Sequence, residues 1–179
     1  MLTSDNTALI LIDVQGKLAQ MMEDSADMFR AQTIMIQAAK ALSVPILWAE
    51  QLPHKLGPTV PEVAEHLSDY SPISKSCFSC AANNEFNTAL KACGKRQLLV
   101  MGIEAHICVT QSVLNFLENG YEVHMISDAI SARIPANKDI GLRRCEKAGA
   151  VISSTEMALF ELMRDATHEQ FRAIQSLIK

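Results

Sequence analysis

The chain has 179 residues, of which 49% are hydrophobic and 20% charged, with a formal net charge of −4. Length and composition are typical of one globular domain with a full hydrophobic core. The negative charge without a basic run argues against a nucleic-acid-binding protein, and no apolar stretch reaches the ~18 residues that a membrane span needs.

Strands and helices alternate along the chain. Continuous apolar runs predict strands buried on both faces, and apolar residues spaced three or four apart predict helices. In chain order the predicted elements are a strand at residues 8–12, a helix at 27–42, a strand at 44–49, an irregular stretch at 50–61, one or two helical turns at 61–67, a short strand or extended arm at 73–75, a helix at 84–93, a strand at 97–101, a helix at 107–119, a strand at 122–126, a helix at 137–148, a strand at 150–152 and helices at 155–163 and 169–178. This alternation predicts one α/β domain over residues 1–179, with a mostly parallel sheet of five to six strands and helices on both faces.

Polar side chains follow several of these strands. Asp13 and Asp128 come just after two strands, Cys108 lies about one turn beyond a third, and Lys75 ends the short segment at 73–75. Ligands of an open parallel sheet bind outside the carboxyl ends of its strands. We therefore expect an acid, a lysine and a thiol to meet at one rim.

Cys108 is the candidate nucleophile, because it stands at the start of a predicted helix, where backbone N–H groups and the macrodipole favour a thiolate. A carboxylate accepts the thiol proton as substrate binds, but alone it raises the thiol pKa, so a cation is also needed. Asp13 and Lys75 are the candidates for these two roles. The backbone N–H groups of Glu104 and Cys108 are the candidates for an oxyanion hole.

These residues resemble the motifs of the isochorismatase-like cysteine hydrolases, which include nicotinamidases and N-carbamoylsarcosine amidases. Asp13 lies in Leu-Ile-Asp-Val-Gln, Lys75 in Lys-Ser-Cys-Phe-Ser, and Cys108 in Gly-Ile-Glu-Ala-His-Ile-Cys-Val. The resemblance covers nearly the whole chain. It implies that Cys108 is the nucleophile, Asp13 the base and Lys75 the cation, and that the Ile103–Glu104 peptide is cis.

The segments at 50–51, 57–62 and 104–106 are most similar to the isochorismatase-domain-containing subgroup of that family. Metal-binding nicotinamidases carry an Asp-x-His pair after the second strand, where this chain has Glu50 and Gln51. We therefore expect no metal and no cofactor. Retention of Cys108 favours hydrolysis of C–N bonds other than peptide bonds in a small molecule, through a thioester. The family is commonly oligomeric, so a homodimer or larger assembly is expected.

The pocket walls are expected from loops at 16–23, 50–61 and 77–83. The residues assigned to substrate binding are Gln15, Trp48, Gln51 and Phe78. For Trp48, plain packing is an equal alternative. Asp128 and Arg133 are interpreted as a structural pair across the rim, with a substrate role as the alternative.

Two features leave other functions open. Cys77 and Cys80 form a C-x-x-C pair, which indicates either a thiol redox protein, a zinc ligand pair or simple packing. His106 is either a catalytic base or, as favoured here, a side chain that points off the loop or meets a neighbouring subunit. A non-catalytic scaffold that kept the fold is the remaining alternative.

The five cysteines are an odd number in a chain large enough to fold without disulfides. This predicts free thiols in a reducing compartment. No basic, apolar leader precedes Asp5, so a secretory signal is not expected. The cytoplasm is the expected location, with an organelle matrix left open.

Overall fold

A six-stranded, fully parallel sheet lies at the centre of the computed structural model, which describes all of residues 1–179. Its strands are β1 (Thr7–Ile12), β2 (Ile46–Gln51), β3 (Ile73–Lys75), β4 (Gln97–Gly102), β5 (Glu122–Ile130) and β6 (Val151–Ser153). Their order is β3-β2-β1-β4-β5-β6. The chain first winds outward from β1 and then returns to place β4 beside it. The predicted single α/β domain is confirmed, and its topological switch point lies between β1 and β4.

Nine helices connect and cover the strands. They are α1 (Gly16–Gln20), α2 (Ser25–Ala41), α3 (Pro53–Leu56), α4 (Pro61–Ala64), α5 (Asn84–Ala92), α6 (Thr110–Glu118), α7 (Pro135–Lys147), α8 (Thr155–Met163) and α9 (Phe171–Ile178). The short α1 lies in the predicted loop at 16–23, and the short α3 lies in the stretch at 50–61 that was predicted to be irregular. In α3, Pro53 occupies the first turn, where its missing N–H costs nothing, and Gly57 ends the helix at a φ of +82°. None of the nine helices combines the length and apolarity needed to cross a membrane.

The core divides into one hydrophobic cluster on each face of the sheet. One cluster combines Leu9 and Leu11 of β1 with side chains of α2, α8 and α9. The other combines Ile10 and Ile12 with side chains of α5, α6 and α7, and it includes Cys108. Because alternate residues of a strand point to opposite faces and both faces are covered, every residue of β1 is buried.

β5 runs farther than its apolar pattern predicts and ends at Ile130. Asp128 therefore lies inside the strand, and its carboxylate accepts the N–H of Thr155 at 2.9 Å, at the start of α8. The prediction that Asp128 stands past a strand end is wrong. Its predicted pairing with Arg133 is also wrong, because Arg133 pairs with Glu104 instead, with Nη2 and Oε1 3.0 Å apart.

Candidate active site

Asp13 leaves β1 in the left-handed region of backbone space, with a φ of +55°. Asp tolerates this conformation better than most residues other than glycine. Its N–H donates to the carbonyl of Ala49 on β2 at 3.1 Å. Next to it, Gly102 ends β4 so close to β1 that a Cβ would clash with the carbonyl of Ile12. The switch point thus holds the buried Asp13 carboxylate against the end of β4.

Lys75 ends β3, and its side chain is completely buried beside Asp13. Its Nζ donates to Asp13 Oδ2 at 2.6 Å and to Gln51 Oε1 at 2.7 Å. It also lies 3.0 Å from the carbonyl oxygen of Phe78 and 3.3 Å from that of Cys77. Four acceptors surround an ammonium that has three protons. Lys75 is therefore a fixed local cation, with no proton left over for a further partner.

Gln51 and Gln15 use their side-chain amides within the protein. Gln51 Nε2 donates to the carbonyl of Ser76 at 2.8 Å, which leaves Oε1 facing Lys75. Gln15 Oε1 accepts the backbone N–H of Gln51 at 2.7 Å, and its Nε2 donates to the carbonyl of Gly57 at 2.7 Å. Both residues were predicted to bind substrate. In the structure they hold β2, the 57 turn and Lys75 in place.

Cys108 lies in a π-helical turn, Ala105–Val109, that leads directly into α6. Thr110 shapes this turn, because its backbone N–H and its hydroxyl both donate to the carbonyl of Ala105. The Cys108 side chain is nearly buried, and this burial, together with Asp13, raises the pKa of its thiol well above the ordinary value. Lys75 acts in the opposite direction but is outweighed. Burial therefore opposes the thiolate that the start of a helix was predicted to favour.

The Asp13 carboxylate has one engaged and one free oxygen. Oδ2 binds Lys75, whereas the buried Oδ1 accepts no hydrogen bond. Burial raises the pKa of Asp13 above its usual value, and the ammonium of Lys75 and the nearby Cys108 thiol only partly oppose this. For Lys75, burial lowers the pKa, but Asp13, Cys80 and Cys108 together raise it by more, so the ammonium form persists. The site therefore combines a protonated thiol with a carboxylate oxygen that is free to take a proton.

Glu104 begins the turn that carries Cys108, and the Ile103–Glu104 peptide is cis. The carbonyl of Glu104 accepts the N–H groups of Ile107 at 3.0 Å and Val109 at 3.3 Å. Its own N–H donates to no other group of the chain. One of the two backbone donors predicted for an oxyanion hole is therefore unused.

The side chains of Trp48 and Phe78, which were also predicted to bind substrate, do not lie in the buried group around Asp13 and Lys75. Trp48 packs in the cluster on the opposite face of the sheet, and its Nε1 donates to Thr59 Oγ1 at 2.8 Å. Phe78 contributes its carbonyl oxygen to Lys75, while its side chain is 53% exposed. His106 Nε2 lies 3.4 Å from the side-chain amide of Asn137 on α7. His106 thus points off the nucleophile turn, as favoured from the sequence.

Glu50 occupies the place where metal-binding nicotinamidases carry a ligand pair. Its Oε1 accepts the N–H of Thr59 at 2.7 Å and the Thr59 hydroxyl at 2.8 Å. No three His, Cys, Asp or Glu side chains are grouped so that they can hold a metal ion. Sequence patterns gave no indication of this Glu50–Thr59 contact, which joins β2 to the segment before α4.

All five cysteines are unpaired. Cys80 is completely buried, and its N–H donates to Ser112 Oγ at 2.9 Å. Burial raises the pKa of the Cys80 thiol to about 12, against the opposing effect of Lys75. Since thiol–disulfide exchange proceeds through the thiolate, this environment disfavours a rapid Cys77–Cys80 redox pair.

The amino-acid sequence is similar to that of known proteins over nearly its whole length. The isochorismatase domain family matches residues 7–157. Isochorismatase domain-containing protein 2 of Macaca fascicularis is 36% identical over 177 residues, which cover 97% of this chain and 83% of the relative. The predicted resemblance to that subgroup is confirmed.

Solved structures share the fold over nearly the whole chain. MAR1 ribonuclease from Caenorhabditis elegans has a TM-score of 0.93 at 32% identity and covers 99% of this chain and 91% of its own. YcaC from Pseudomonas aeruginosa, solved with hexane-2,5-diol and covalent acrylamide, has a TM-score of 0.92 at 28% identity over 98% and 90%. The Escherichia coli YcaC gene product, described as an octameric hydrolase of unknown specificity, has a TM-score of 0.93 at 24% identity over 99% and 88%.

Proposed function

Because this chain belongs to the isochorismatase family, we propose that it is a metal-independent cysteine hydrolase for a small amide-like substrate, acting on C–N bonds other than peptide bonds. The observation that carries the proposal is the buried group of Asp13, Lys75 and Cys108. One Asp13 oxygen is fixed by Lys75 at 2.6 Å, and the other is free of hydrogen bonds next to a protonated thiol. A nucleophile, a base and a fixed cation are the parts that acyl transfer to a thiol requires.

The first half of the proposed reaction forms a thioester. Asp13 Oδ1 takes the proton of Cys108, and the thiolate sulfur bonds to the substrate carbonyl carbon. The backbone N–H groups of Glu104 and Cys108 bind the oxyanion that develops on the carbonyl oxygen. When the C–N bond breaks, Asp13 passes this proton to the leaving nitrogen, and an acyl group stays on Cys108.

The second half releases the acid. Asp13, ionised again, takes a proton from water, and the water oxygen bonds to the thioester carbon. The C–S bond then breaks, and the Cys108 sulfur recovers its proton from Asp13. Lys75 stays in contact with Asp13 throughout and keeps a positive charge beside both the carboxylate and the sulfur. Water is the only co-reactant, and the products are a carboxylic acid and ammonia or an amine.

Two further expectations belong to this proposal. We propose a homo-oligomer, supported by the octameric description of the E. coli YcaC gene product and by exposed apolar side chains on this chain, such as Ile134, Ile140 and Phe160. We also propose a cytoplasmic location, supported by five unpaired cysteines.

The C. elegans relative is called a ribonuclease. For this chain the net charge of −4 and the enclosed thiol favour a small, uncharged carbonyl compound over RNA.

Intact-mass spectrometry with a panel of small amides and with p-nitrophenyl acetate tests the proposal. We expect an acyl adduct on Cys108 in the wild-type protein and none in Cys108→Ser. In Asp13→Asn, acylation should fall at least ~10²-fold, the usual scale for a lost general base. Cys93→Ser is the matched control, because Cys93 is a half-buried thiol outside this site, and it should behave as the wild type.

The same experiment separates the alternatives. If Cys108 takes no acyl group and reacts with alkylating reagents only as an ordinary free thiol does, the hydrolase proposal is wrong and the scaffold interpretation gains. If acyl groups appear on Cys77 instead, the nucleophile has been misassigned. The P. aeruginosa YcaC structure with covalent acrylamide supports the expectation that a small amide-bearing reagent reaches a nucleophile in this fold.

A further inference from the structure

The Glu104 carboxylate is buried and bound by a single residue. It is 5% exposed, and it receives two hydrogen bonds and one further ion-pair contact from Arg133, each 3.0 Å long. The backbone N–H of Arg133 donates to Oε2, and the guanidinium Nε donates to Oε1, with Nη2 in ion-pair contact with the same oxygen. The guanidinium itself is half exposed. A charged group with such complete pairing has little orientational freedom.

Ser131, in the segment that follows β5, joins the start of the nucleophile turn to its surroundings. The carbonyl of Ser131 accepts the N–H of Ala105 at 2.9 Å, and the N–H of Ser131 donates to the carbonyl of Gly102 at 3.4 Å. The Ser131 hydroxyl donates to the carbonyl of Glu23 at 2.8 Å. Glu104 is therefore fixed both through its neighbour's backbone and through its own carboxylate.

We propose that Arg133 is a positioning residue, which acts through the Glu104 carboxylate to aim the unused Glu104 N–H at the oxyanion; this inference rests on the proposed function. The N–H and the carboxylate belong to one residue, so fixing the side chain limits rotation of the backbone at the start of the Cys108 turn. An oxyanion donor is effective only when it is aimed before the reaction begins. The hydrogen bonds and the ion pair of Arg133 go to Glu104, and none goes to Cys108 or Asp13.

Two reactions of the same sulfur separate positioning from general damage. Acylation of Cys108 by p-nitrophenyl acetate passes through an oxyanion, whereas alkylation by iodoacetamide displaces iodide at a CH₂ group and forms none. In Arg133→Met we expect acylation to fall ~10²-fold, the lower end of the range for a lost oxyanion donor. Alkylation should change less than about threefold, because the thiol and Asp13 are untouched. Arg143→Met is the matched control, since its guanidinium is exposed and donates only to the carbonyl of Asp139, and neither rate should change.

A second variant covers the possibility that Arg133→Met is merely unstable. Glu104→Gln/Arg133→Met has no unpaired buried carboxylate, so its Tm should recover toward that of the wild type while acylation stays low. Equal losses in acylation and alkylation, or acylation that recovers in the double variant, would overturn the inference. A wild-type protein that is never acylated on Cys108 overturns the proposed function and this inference together. Wild-type and Arg133→Met proteins that are acylated equally fast overturn this inference alone.

Discussion

Replacing Lys75 with methionine leaves the Asp13 carboxylate without its only hydrogen-bond partner. The two side chains are 0% and 4% exposed, and Nζ and Oδ2 are 2.6 Å apart. Methionine keeps the length of the apolar stem, so the main change is the loss of charge. Removing one partner of a buried ion pair costs about 3–5 kcal/mol, which for a domain of this size lowers Tm by roughly 6–20 °C.

The two single variants should not be equivalent. In Asp13→Asn the ammonium of Lys75 keeps the oxygens of Gln51, Phe78 and Cys77, so we expect a smaller loss, about 1–3 kcal/mol. The double variant Asp13→Asn/Lys75→Met contains neither charge and should be more stable than Lys75→Met alone. Urea unfolding of all four proteins at neutral pH gives the coupling energy between the two residues.

The pH dependence supplies a second check. Lys75 is the strongest of the groups that lower the pKa of Asp13, so in Lys75→Met burial holds the folded-state pKa of Asp13 further above its usual value. An acid with a raised folded-state pKa stabilises the native state when protonated, and this stability is lost as pH rises through that pKa. The deficit of Lys75→Met relative to the wild type should therefore shrink on acidification. A deficit that is equal at pH 5 and pH 8, or strict additivity in the double variant, would refute the buried-pair reasoning.

Two other predictions concern the thiols. Burial raises the pKa of Cys80 to about 12 and also raises that of Cys108 above the ordinary 9.0. The thiols of the unfolded chain therefore ionise first, and the free energy of unfolding should fall as pH rises above about 9. In urea titrations Cys80→Ser should reduce this dependence on pH, and an unchanged dependence would contradict the raised pKa of Cys80. With iodoacetamide, half-buried Cys77 should react before buried Cys80. Peptide mapping after incubation of the folded protein in a glutathione buffer should find no Cys77–Cys80 disulfide. Reversible formation of that disulfide would favour the redox interpretation instead.

The rim of the sheet was predictable because it depends on short-range patterns. The apolar run of β1 ends at Asp13, and parallel strands deliver their carboxyl ends to one edge, so the meeting of Asp13, Lys75 and Cys108 follows from strand positions. The resemblance to a known family then gave each residue a role. The contacts among Asp13, Lys75 and Gln51 add what spacing does not contain, namely which oxygens surround the Lys75 ammonium.

The failures have a common physical origin in contacts between residues distant in sequence. β5 extends to Ile130 because pairing with β4 continues beyond its apolar core, which moves Asp128 into the strand. Arg133 finds Glu104 because the segment after β5 crosses the nucleophile turn. The Cys108 thiol is buried in the cluster that holds side chains of α5, α6 and α7, and this burial raises its pKa, which a position at the start of a helix does not reveal. None of these partners is visible in local periodicity.

The neutral resting thiol is compatible with catalysis because of how charge moves in the proposed first step. Before proton transfer the buried group holds Asp13 as an anion and Lys75 as a cation; afterwards it holds a neutral Asp13, the same cation and a Cys108 thiolate. The net charge of the group is unchanged, so no new uncompensated charge is created in the interior. Lys75 only exchanges a carboxylate counter-ion for a sulfur one. Burial raises the pKa of the Asp13 carboxyl and so brings it nearer to the pKa of the thiol, which lowers the free-energy cost of moving the proton between them. The burial of the site therefore assists the proposed proton transfer.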